Sequence, residues 1–285
     1  MLVDGTFCDK YFCMMYWSMS RSKRNTNPVH GRQMVIIGAG NVATHFAHAF
    51  SAAGYAIVQV YSKTIDSARA LAGQFGVGCT NSLSLLRTDA DIYIFAVSDD
   101  ALFDIALDLK LKDKICFHTS GTVPMDVLSP ITKNYGVVYV PQTFIKHIAM
   151  DYSRLPFCVE ASNVNTLEML KAMASTISSS VYSLNGEQRR YLHLASVFAN
   201  NFGNCINAMA QQIMEQHNLP FEIIHPLISE TAKKIQYGNL WSLQTGPAKR
   251  GDTKTLDKHR RLLVDDSKAL EVYNLLSSII EEKTK

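Results

Sequence analysis

The fold of this chain is decided by Met34-Val35-Ile36-Ile37-Gly38-Ala39-Gly40-Asn41-Val42-Ala43. A short apolar run with β-branched residues leads into two glycines one residue apart, and helical spacing of apolar residues begins after them. This is the pattern G-x-G-x-x-G/A in a strand–turn–helix setting, which is the fingerprint of a dinucleotide-binding turn. Gly38 allows the tight turn, Gly40 lets the main chain approach a pyrophosphate, and Ala43 permits close packing of the helix on the strand.

The start of the predicted helix supplies the groups that would hold the phosphates. Main-chain N–H groups in the first turn of a helix, here those of Asn41 and Val42, have no partner inside the helix and attract anions. A glycine turn in an α/β fold that binds no nucleotide is the alternative. We predict that a nicotinamide cofactor binds this turn through Gly38, Gly40, Asn41 and Val42.

From this turn onward the apolar pattern alternates between strand and helix. Strands are predicted at 34–37, 56–61, 76–79, 91–97, 114–117 and 137–140. Helices are predicted between them at 41–52, 66–75 and 100–109, and Asn81 is a candidate cap for a further helix through Arg87. Strands that alternate with helices of about ten residues indicate βαβ units and a parallel sheet covered on both faces.

The pattern changes after Pro141. Short extended segments at 156–160 and 181–184 flank a helix at 163–176, and the helical patterns that follow lie at 187–217, 220–237, 252–264 and 267–282. The predicted fold class is α/β: a Rossmann-type parallel-sheet domain that binds NAD(P) at 34–160, then an all-helical domain for substrate and dimerisation at 161–285. Residues 1–33 are expected to be a disordered tail or a start-site artefact, because the first strand begins at Met34, and a cryptic targeting sequence is the alternative.

Composition and charge exclude several classes of protein. An apolar fraction of 47% with 19% charged residues is ordinary for a globular chain and excludes a largely disordered one. Residues 1–33 carry five basic and two acidic side chains, so the other 252 residues carry 23 of each sign. The net charge of +3 therefore does not predict binding to nucleic acid. The six cysteines form no C-x-x-C pair, which indicates reduced thiols in the cytoplasm and no zinc site.

Residues 191–214 contain no charged side chain and are long enough to cross a bilayer. They also contain seven histidine, asparagine and glutamine residues, which hydrocarbon tolerates poorly. We predict a helix buried in protein, and no membrane association.

The end of the second predicted strand favours one nicotinamide cofactor over the other. Enzymes that prefer NAD usually place an acidic residue about 20 residues after the glycine turn, where it binds the ribose hydroxyls. Ser62 and Lys63 stand here instead, and a hydroxyl beside a cation suits a 2′-phosphate. Asp66 comes slightly late and is expected to cap the next helix. We predict NADP rather than NAD, with a solvated Lys63 as the alternative.

Further polar residues follow strands that should end at the same edge of the sheet. Because ligands bind at the carboxyl ends of strands in open α/β sheets, we expect these turns to line one pocket. The residues are Ala96, Val97 and Ser98 beneath the cofactor, then His118 and Ser120, then Gln142 and Thr143. Turns held by their own side-chain hydrogen bonds are the alternative.

One face of the long predicted helix carries a histidine and several amides. Helical spacing brings together His193, Val197, Asn200, Asn204 and Asn207. A buried amide without a partner costs about 1–3 kcal/mol, so this face requires a substrate, a nicotinamide carboxamide or another helix against it.

A glycine- and proline-rich loop supplies the last candidates. It contains Thr245 and Arg250, and an arginine can grip a carboxylate or phosphate with two hydrogen bonds. A plain connector between helices, with solvated basic residues, is the alternative.

Six motifs resemble those of one family of oxidoreductases. They are G-A-G-N-V-A at 38–43, D-I-Y-I-F-A-V-S-D-D-A-L at 91–102, H-T-S-G at 118–121, P-Q-T-F at 141–144, H-L-A-S-V-F-A-N-N-F at 193–202 and T-G-P-A-K-R-G-D at 245–252. The family has a C-terminal half classed as a domain of unknown function and is often labelled as NADP oxidoreductases dependent on coenzyme F-420. It is similar in fold to pyrroline-5-carboxylate reductase and the 6-phosphogluconate dehydrogenase group. The resemblance implies a homodimer through the helical domain and a substrate cleft.

The chain departs from related β-hydroxyacid dehydrogenases at one position. Those enzymes carry an acid/base lysine on the corresponding helix, where this sequence has Arg189, Arg190 and then His193. Arginine does not deprotonate at working pH, whereas histidine exchanges protons near neutrality. We therefore expect His193 to transfer the proton, with His118 as the alternate.

The function predicted from the sequence is hydride transfer between NADP(H) and a small, anionic carbonyl or imine compound. Asn200 or Asn201 would orient the substrate, and the other contacts would come from Ser120, Gln142, Thr143, Thr245 and Arg250. A non-catalytic regulatory protein that senses NADPH is the alternative, because the lysine is missing. Hydride exchange with a deazaflavin is a third possibility.

Overall fold

The computed structural model describes residues 31–284. The predicted tail at 1–33 therefore lies outside the described residues, apart from its last three. The chain divides into two compact units, Met1–Asn200 and Asn201–Lys285.

The first unit is built on one eight-stranded sheet in the order β3-β2-β1-β4-β5-β6-β7-β8. The strands are β1 (Gln33–Ile37), β2 (Ala56–Tyr61), β3 (Gly78–Thr80), β4 (Ile92–Phe95), β5 (Ile115–His118), β6 (Asn134–Tyr139), β7 (Phe157–Ala161) and β8 (Val181–Ser183). Strands β1 to β6 run parallel, β7 is antiparallel to β6, and β8 is parallel to β7. The order of β1 to β6 is that of the Rossmann fold, which confirms the predicted fold class.

Alternate residues of the first strand enter two different hydrophobic cores. Met34 and Ile36 belong to the core on one face of the sheet, and Val35 and Ile37 belong to the core on the other. The helices of this unit are α1 (Asn41–Ala52), α2 (Ile65–Gly73), α3 (Asp99–Asp108), α4 (Val164–Ser175) and α5 (Gly186–Ser196). Burial on both faces explains why the strands are almost continuously apolar.

The helix predicted from Asn81 through Arg87 is wrong. Only a 3₁₀ turn forms there, at Leu83–Leu85, with Ser82 rather than Asn81 at its N-cap. The Gln59 side chain donates a hydrogen bond to the Leu85 carbonyl at 3.0 Å and accepts one from the Arg87 N–H at 2.7 Å. The Gln59 side chain, on β2, thus occupies main-chain groups that would pair with each other in a helix.

The first unit continues beyond the domain boundary predicted at residue 160. Strand β7 pairs with β6, β8 pairs with β7, and α4 contributes Leu170 and Met173 to the core beneath the sheet. Residues 161–200 therefore pack with the first unit, and the division falls after Asn200.

The long helix predicted at 187–217 contains an irregularity. Helix α5 ends at Ser196, a π-helical segment covers Val197–Phe202, and α6 runs over Gly203–Gln216. A π-helical turn holds an extra residue, so it interrupts the spacing from which the single amide face was predicted.

The second unit is helical, as predicted. Besides α6 it contains α7 (His225–Lys234), α8 (Thr253–Leu262) and α9 (Ser267–Lys283). Asp252 caps α8 by accepting a hydrogen bond from the Thr255 N–H at 3.1 Å, which confirms its predicted role. Pro220 precedes a 3₁₀ turn, and the α-helix after it begins only at His225.

Helices α6 and α7 bury no residue in the single chain. The prediction that the helix at 191–214 is buried in protein is therefore not met over its second half by the residues that the structure describes. Among the described residues no helix combines the length and apolarity that crossing a bilayer would require.

Candidate functional site

The turn between β1 and α1 has a backbone that only glycine can adopt. Gly38 has φ +116°, and its N–H donates a hydrogen bond to the Tyr61 carbonyl at 2.8 Å. A Cβ atom at this position would overlap the carbonyl oxygen of Ala96. The ends of β1, β2 and β4 therefore meet closely at Gly38.

The start of α1 is open to an anion. Gly40 is its N-cap residue, is exposed, and would have no heavy atom within 4 Å of an added Cβ. No side chain caps this helix start and no acidic residue lies in its first turn, which includes Asn41 and Val42. The residues thus fit a dinucleotide, whose pyrophosphate would meet unpaired N–H groups.

The end of β2 presents the hydroxyl and the cation expected there. Ser62 is half-buried and its N–H donates to the Thr80 carbonyl at 3.1 Å, while Lys63 is exposed. Within residues 31–284 Lys63 has no acidic partner. Asp66 is not the helix cap that was predicted: Thr64 is the N-cap of α2, and Asp66 lies in the first turn and pairs with Arg69 at 2.6 Å.

The end of β4 lies between those of β1 and β5. The Ala96 N–H donates to the Ile37 carbonyl at 2.7 Å, and the Thr119 N–H donates to the Phe95 carbonyl at 3.2 Å. Ala96 is buried, Val97 is half-buried, and exposed Ser98 is the N-cap residue of α3. This is the edge of the sheet where the strand order reverses, which is the ligand crevice of such folds.

His118 lies inside the protein at the end of β5. It is fully buried, its Nδ1 accepts a hydrogen bond from the Ser120 N–H at 3.2 Å, and its Nε2 has no partner among the described residues. Burial, with a smaller contribution from the nearby Arg189 cation, lowers the pKa of His118 to about 3. The imidazole is therefore neutral and inaccessible, an environment that favours a structural role.

Ser120 organises the turn that follows β5. Its Oγ accepts hydrogen bonds from the N–H groups of Thr122 and Val123 at 3.1 and 3.0 Å. Its hydroxyl oxygen therefore stabilises the turn. To bind a substrate as well, it would have to contact the substrate while keeping these main-chain hydrogen bonds.

A buried ion pair, which was not predicted from the sequence, fixes this turn. Arg189 is 1% exposed, and its guanidinium donates to the carbonyls of Ser120 and Val123 at 2.9 and 2.8 Å. The same guanidinium binds Glu160 of β7 at 3.2 Å. No local pattern marks the pair, because 29 residues separate its members.

His193 lies against the ends of β5 and β6. Its Nδ1 is 3.2 Å from the hydroxyl oxygen of Tyr139, and the two rings meet edge to face with centroids 5.8 Å apart. A Cβ on Gly121 would lie 2.5 Å from the same Nδ1. Within the described chain the Nε2 of His193 has no hydrogen-bond partner, so this nitrogen is available to a substrate.

The amides and hydroxyls predicted to line the pocket come together in part. Asn200, in the π-helical segment, donates to the Thr143 hydroxyl at 2.6 Å, and Gln142 accepts a hydrogen bond from the Thr143 N–H at 2.8 Å. All three residues are exposed. The neighbouring Asn201 is exposed and belongs to the second unit.

Buried His45 of α1 ties the segment that carries Gln142 and Thr143 to the cofactor helix. Its Nε2 donates to the Ile145 carbonyl at 2.9 Å, and its Nδ1 is 2.8 Å from the Tyr152 hydroxyl. His45 was not singled out from the sequence, because its partners lie about 100 residues further along the chain.

Thr245 and Arg250 belong to the second unit. Thr245 borders a cavity of about 270 Å³ whose lining is mainly apolar and includes His259 and Tyr273, which bond to each other at 2.8 Å. Arg250 is exposed, in a loop whose Gly246 has φ +103°.

The first unit therefore combines an open helix start with a histidine whose imidazole contacts the hydroxyl of Tyr139. The accessible polar groups near the ends of β5 and β6 are an imidazole, a serine turn, two amides and a hydroxyl. Such groups can donate and accept protons and orient a polar substrate. Residues 31–284 contain no group of three or more histidine, cysteine or acidic side chains that could hold a metal ion.

Two family models match successive parts of the chain. The model described as NADP oxidoreductase coenzyme F420-dependent matches residues 33–118, and a domain of unknown function, DUF2520, matches residues 155–280. The comparison with curated proteins finds no match.

Solved structures cover almost the whole described chain. The structure of a "putative NADP oxidoreductase" from Bacteroides fragilis is 40% identical, with a TM-score of 0.84, and the match covers 89% of this chain and 99% of that one. A protein from Thermotoga maritima is 22% identical with a TM-score of 0.67, covering 88% and 98% of the two chains. An imine reductase from Streptomyces aurantiacus is 12% identical with a TM-score of 0.63, covering 88% and 94%. At these lower identities the likeness concerns the fold. The 40% match and the two family models show that the chain belongs to the family of NADP oxidoreductases that join a Rossmann domain to a DUF2520 domain.

Proposed function

We propose that this protein is an NADP(H)-dependent oxidoreductase that reduces or forms a small, anionic carbonyl or imine compound. The observation that carries the proposal is the position of His193, whose Nε2 is unpaired within the described chain, beside the ends of β5 and β6. The cofactor turn Gly38–Gly40 and the end of β4 lie at the same edge of the sheet. Membership of the family of NADP oxidoreductases supports the cofactor.

Different residues at this edge would bind different parts of the cofactor. The pyrophosphate would meet the main chain at Gly38, Gly40, Asn41 and Val42, because that helix start is uncapped. Ser62 and Lys63 would hold the 2′-phosphate, and Ala96, Val97 and Ser98 would lie beneath the ribose and the nicotinamide ring. When bound, the nicotinamide supplies or accepts the hydride.

The remaining residues would serve the substrate. His193 donates or accepts the proton at the substrate oxygen or nitrogen, and Asn200 and Asn201 orient the polar group that receives it. Further contacts would come from Ser120, Gln142 and Thr143 of the first unit. The contact of Thr245 and Arg250 with the substrate, in which Arg250 holds an anionic group, stays a prediction from the sequence. In this assignment His118 takes no part in proton transfer, because it is fully buried.

One observation favours a second function. Arg189 stands near the position where related dehydrogenases keep an acid/base lysine, and its guanidinium is engaged by Glu160 and two carbonyls. A protein without an acid/base group could bind NADPH as a sensor and catalyse nothing.

A turnover assay separates the two functions. The purified full-length protein is mixed with NADPH and a panel of 2-oxo acids, cyclic imines and imino acids, and loss of absorbance at the nicotinamide band is followed. We expect turnover with at least one anionic compound and little with its uncharged ester. In a parallel arm without NADPH, a reduced deazaflavin is the hydride donor and NADP⁺ is the acceptor, and the rise in absorbance at the nicotinamide band is followed. Tight NADPH binding without turnover in any arm would favour the sensor.

The choice of NADP can be tested at Lys63. We expect Lys63→Ala to weaken NADPH binding by about 1–3 kcal/mol, since it loses a charged contact to the 2′-phosphate, and to leave NADH binding unchanged. Calorimetric titration of both cofactors measures the difference. Lys112→Ala is the matched control, because Lys112 is exposed and precedes β5 at the opposite edge of the sheet. Equal weakening of NADPH and NADH would refute the assignment.

We propose a homodimer through the helical unit. Helices α6 and α7 bury no residue in one chain, although they carry Ile206, Ile213 and Leu227 with 41%, 39% and 62% of their surface exposed. An obligate interface would exceed roughly 2,000 Å². Light scattering at micromolar concentration should give twice the chain mass of 31.8 kDa. The double variant Ile206→Glu/Ile213→Glu should dissociate, and the control Leu107→Glu, on the first unit, should not. A monomeric wild-type protein would contradict this proposal.

We also propose a cytoplasmic location. The four cysteines that the structure describes are free thiols, which suits a reducing compartment.

A further inference from the structure

One face of helix α5 packs against the turn that follows β5, the β5 turn (residues 120–123). Arg189 and His193 are four residues apart on α5, so both side chains lie on this face of the helix. The Arg189 guanidinium donates to the carbonyls of Ser120 and Val123 at 2.9 and 2.8 Å, at the two ends of the turn. One side chain therefore fixes the helix to both ends of the β5 turn.

Gly121, which lies between the two bonded carbonyls, contacts the imidazole of His193. A Cβ atom on Gly121 would lie 2.5 Å from Nδ1 and 2.6 Å from Cγ of that ring. Gly121 is buried and is not among the glycines with positive φ, so close approach to the imidazole, and not backbone conformation, requires glycine here. The position of the β5 turn therefore limits where the imidazole can lie.

Glu160 on β7 holds the guanidinium in the orientation that these bonds need. One of its carboxylate oxygens lies 3.2 Å from Nε and 3.2 Å from a terminal nitrogen of Arg189. Because a guanidinium is planar, a carboxylate bound at one edge fixes the directions of the remaining N–H groups. Glu160 is itself held by the sheet, where it pairs with Val137 of β6. The sheet thus determines the position of the β5 turn through two side chains.

A second hydrogen bond joins the β5 turn to the strand end proposed for the cofactor. The Thr122 hydroxyl donates to Asp99 at 2.6 Å, and Asp99 is the first residue of α3, directly after Ser98. The turn thus connects the end of β4, proposed to lie beneath the nicotinamide ring, to the imidazole proposed to exchange the proton. Hydride and proton transfer to one substrate require these two places to keep a fixed separation.

We propose that Arg189, oriented by Glu160, is a positioning residue that holds Gly121 against the imidazole of His193. This inference rests on the proposed function for its catalytic consequence, which is that the imidazole stays at the distance that proton transfer to the substrate needs. Arg189 is 1% exposed and is engaged by a carboxylate and two carbonyls, so it acts through its neighbours and exchanges no proton itself.

NMR of the full-length protein, labelled with carbon-13 at glycine and histidine, tests the contact without any substrate. Spectra of Gly121→Ala and His193→Gln assign the two sets of signals. We expect a nuclear Overhauser effect between the Hα protons of Gly121 and the Hβ protons of His193. The effect should weaken or disappear in Arg189→Met/Glu160→Leu, because both bonds to the β5 turn are lost. Apolar residues replace both members of the pair so that neither charge is left buried without its partner.

Arg87→Met/Asp89→Leu is the matched control for the loss of an ion pair. Arg87 and Asp89 are 2.8 Å apart and precede β4, at the opposite edge of the sheet. We expect the Overhauser effect to be unchanged in this variant. Its absence from the wild-type protein, or equal strength in Arg189→Met/Glu160→Leu and in the control, would overturn the proposal.

A double-mutant cycle tests the catalytic consequence. We expect Arg189→Met/Glu160→Leu to lower kcat about 10–100-fold relative to the control, because a small misplacement of a reacting group can cost that much. NADPH affinity should stay close to that of the control. In a His193→Ala background the same double change should alter kcat by less than about threefold, because the residue through which it acts is gone. Equal factors in the two backgrounds would indicate a general structural role and would refute the proposal.

Gly121→Ala tests the same contact and leaves the ion pair in place. Its methyl group would occupy the space of the imidazole, so we expect kcat to fall by about tenfold or more. Gly73→Ala is the control, because Gly73 is exposed and an added Cβ there has no heavy atom within 4 Å. Equal kcat in these two variants would also refute the positioning role. Absence of turnover in the wild-type protein would refute the proposed function instead, and the NMR result would still decide whether Arg189 holds Gly121 against His193.

Discussion

Replacing His193 with alanine is expected to lower kcat by roughly 10²–10⁴-fold and to change NADPH affinity by no more than about threefold. The reason is that His193 is the accessible imidazole at the ends of β5 and β6, whereas the nucleotide would bind main-chain groups of the β1–α1 turn. Steady-state kinetics with the best compound of the panel, and calorimetric titration with NADPH, measure the two quantities separately.

His217→Ala is the control for this change. His217 follows α6, is exposed, and contributes only main-chain hydrogen bonds among those described. Melting temperatures of both variants show whether any loss of rate reflects unfolding. A folded His193→Ala protein with near-normal kcat would remove His193 from the mechanism. Buried His118 would be a poor replacement, so the sensor function would then gain support.

Replacing Gly38 with alanine is expected to destabilise the first unit by about 3 kcal/mol or more. The substitution combines a φ of +116°, which side chains rarely adopt, with overlap between the new Cβ and the Ala96 carbonyl. Since β1 and β4 are neighbouring interior strands, relief of the overlap must separate the ends of two strands inside the sheet. Chemical denaturation followed by circular dichroism measures the change in the free energy of unfolding.

Gly40→Ala is the matched control, two residues further along the same turn. Gly40 has φ −81° and open space around it, so the added methyl group strains nothing in the protein. We expect normal stability but weaker NADPH binding, because the methyl group stands where the pyrophosphate would approach. If both variants unfold equally, or Gly38→Ala is as stable as the wild-type protein, the close approach of β1 and β4 is not what requires glycine.

The parts of the fold that depend on local pattern were predictable. Helix 41–52 and strand 56–61 were predicted with the bounds that the structure has, because each combines a clear apolar period with glycine punctuation. The cap at Asp252 was predicted for the same reason: a short acidic side chain directly precedes a helical pattern.

What could not be predicted depends on contacts between distant residues. The turn at Leu83–Leu85 is determined by Gln59, more than 20 residues earlier, whose amide competes with helical hydrogen bonds. The π-helical segment lies within a stretch whose spacing looks uniformly helical. The site shows the same division, since the glycine turn was evident from its motif whereas Tyr139 and Glu160 were not.

The burial of Arg189 restricts which substitutions this position can accept. A lysine introduced there by one substitution would inherit a carboxylate and two carbonyls arranged for a planar guanidinium, with which an ammonium forms fewer directed bonds. Its charge would remain engaged by Glu160, so a usable acid/base lysine would require at least one compensating change on β7. We therefore expect the two positions to be energetically coupled, so that a change at Glu160 alters the effect of a change at Arg189.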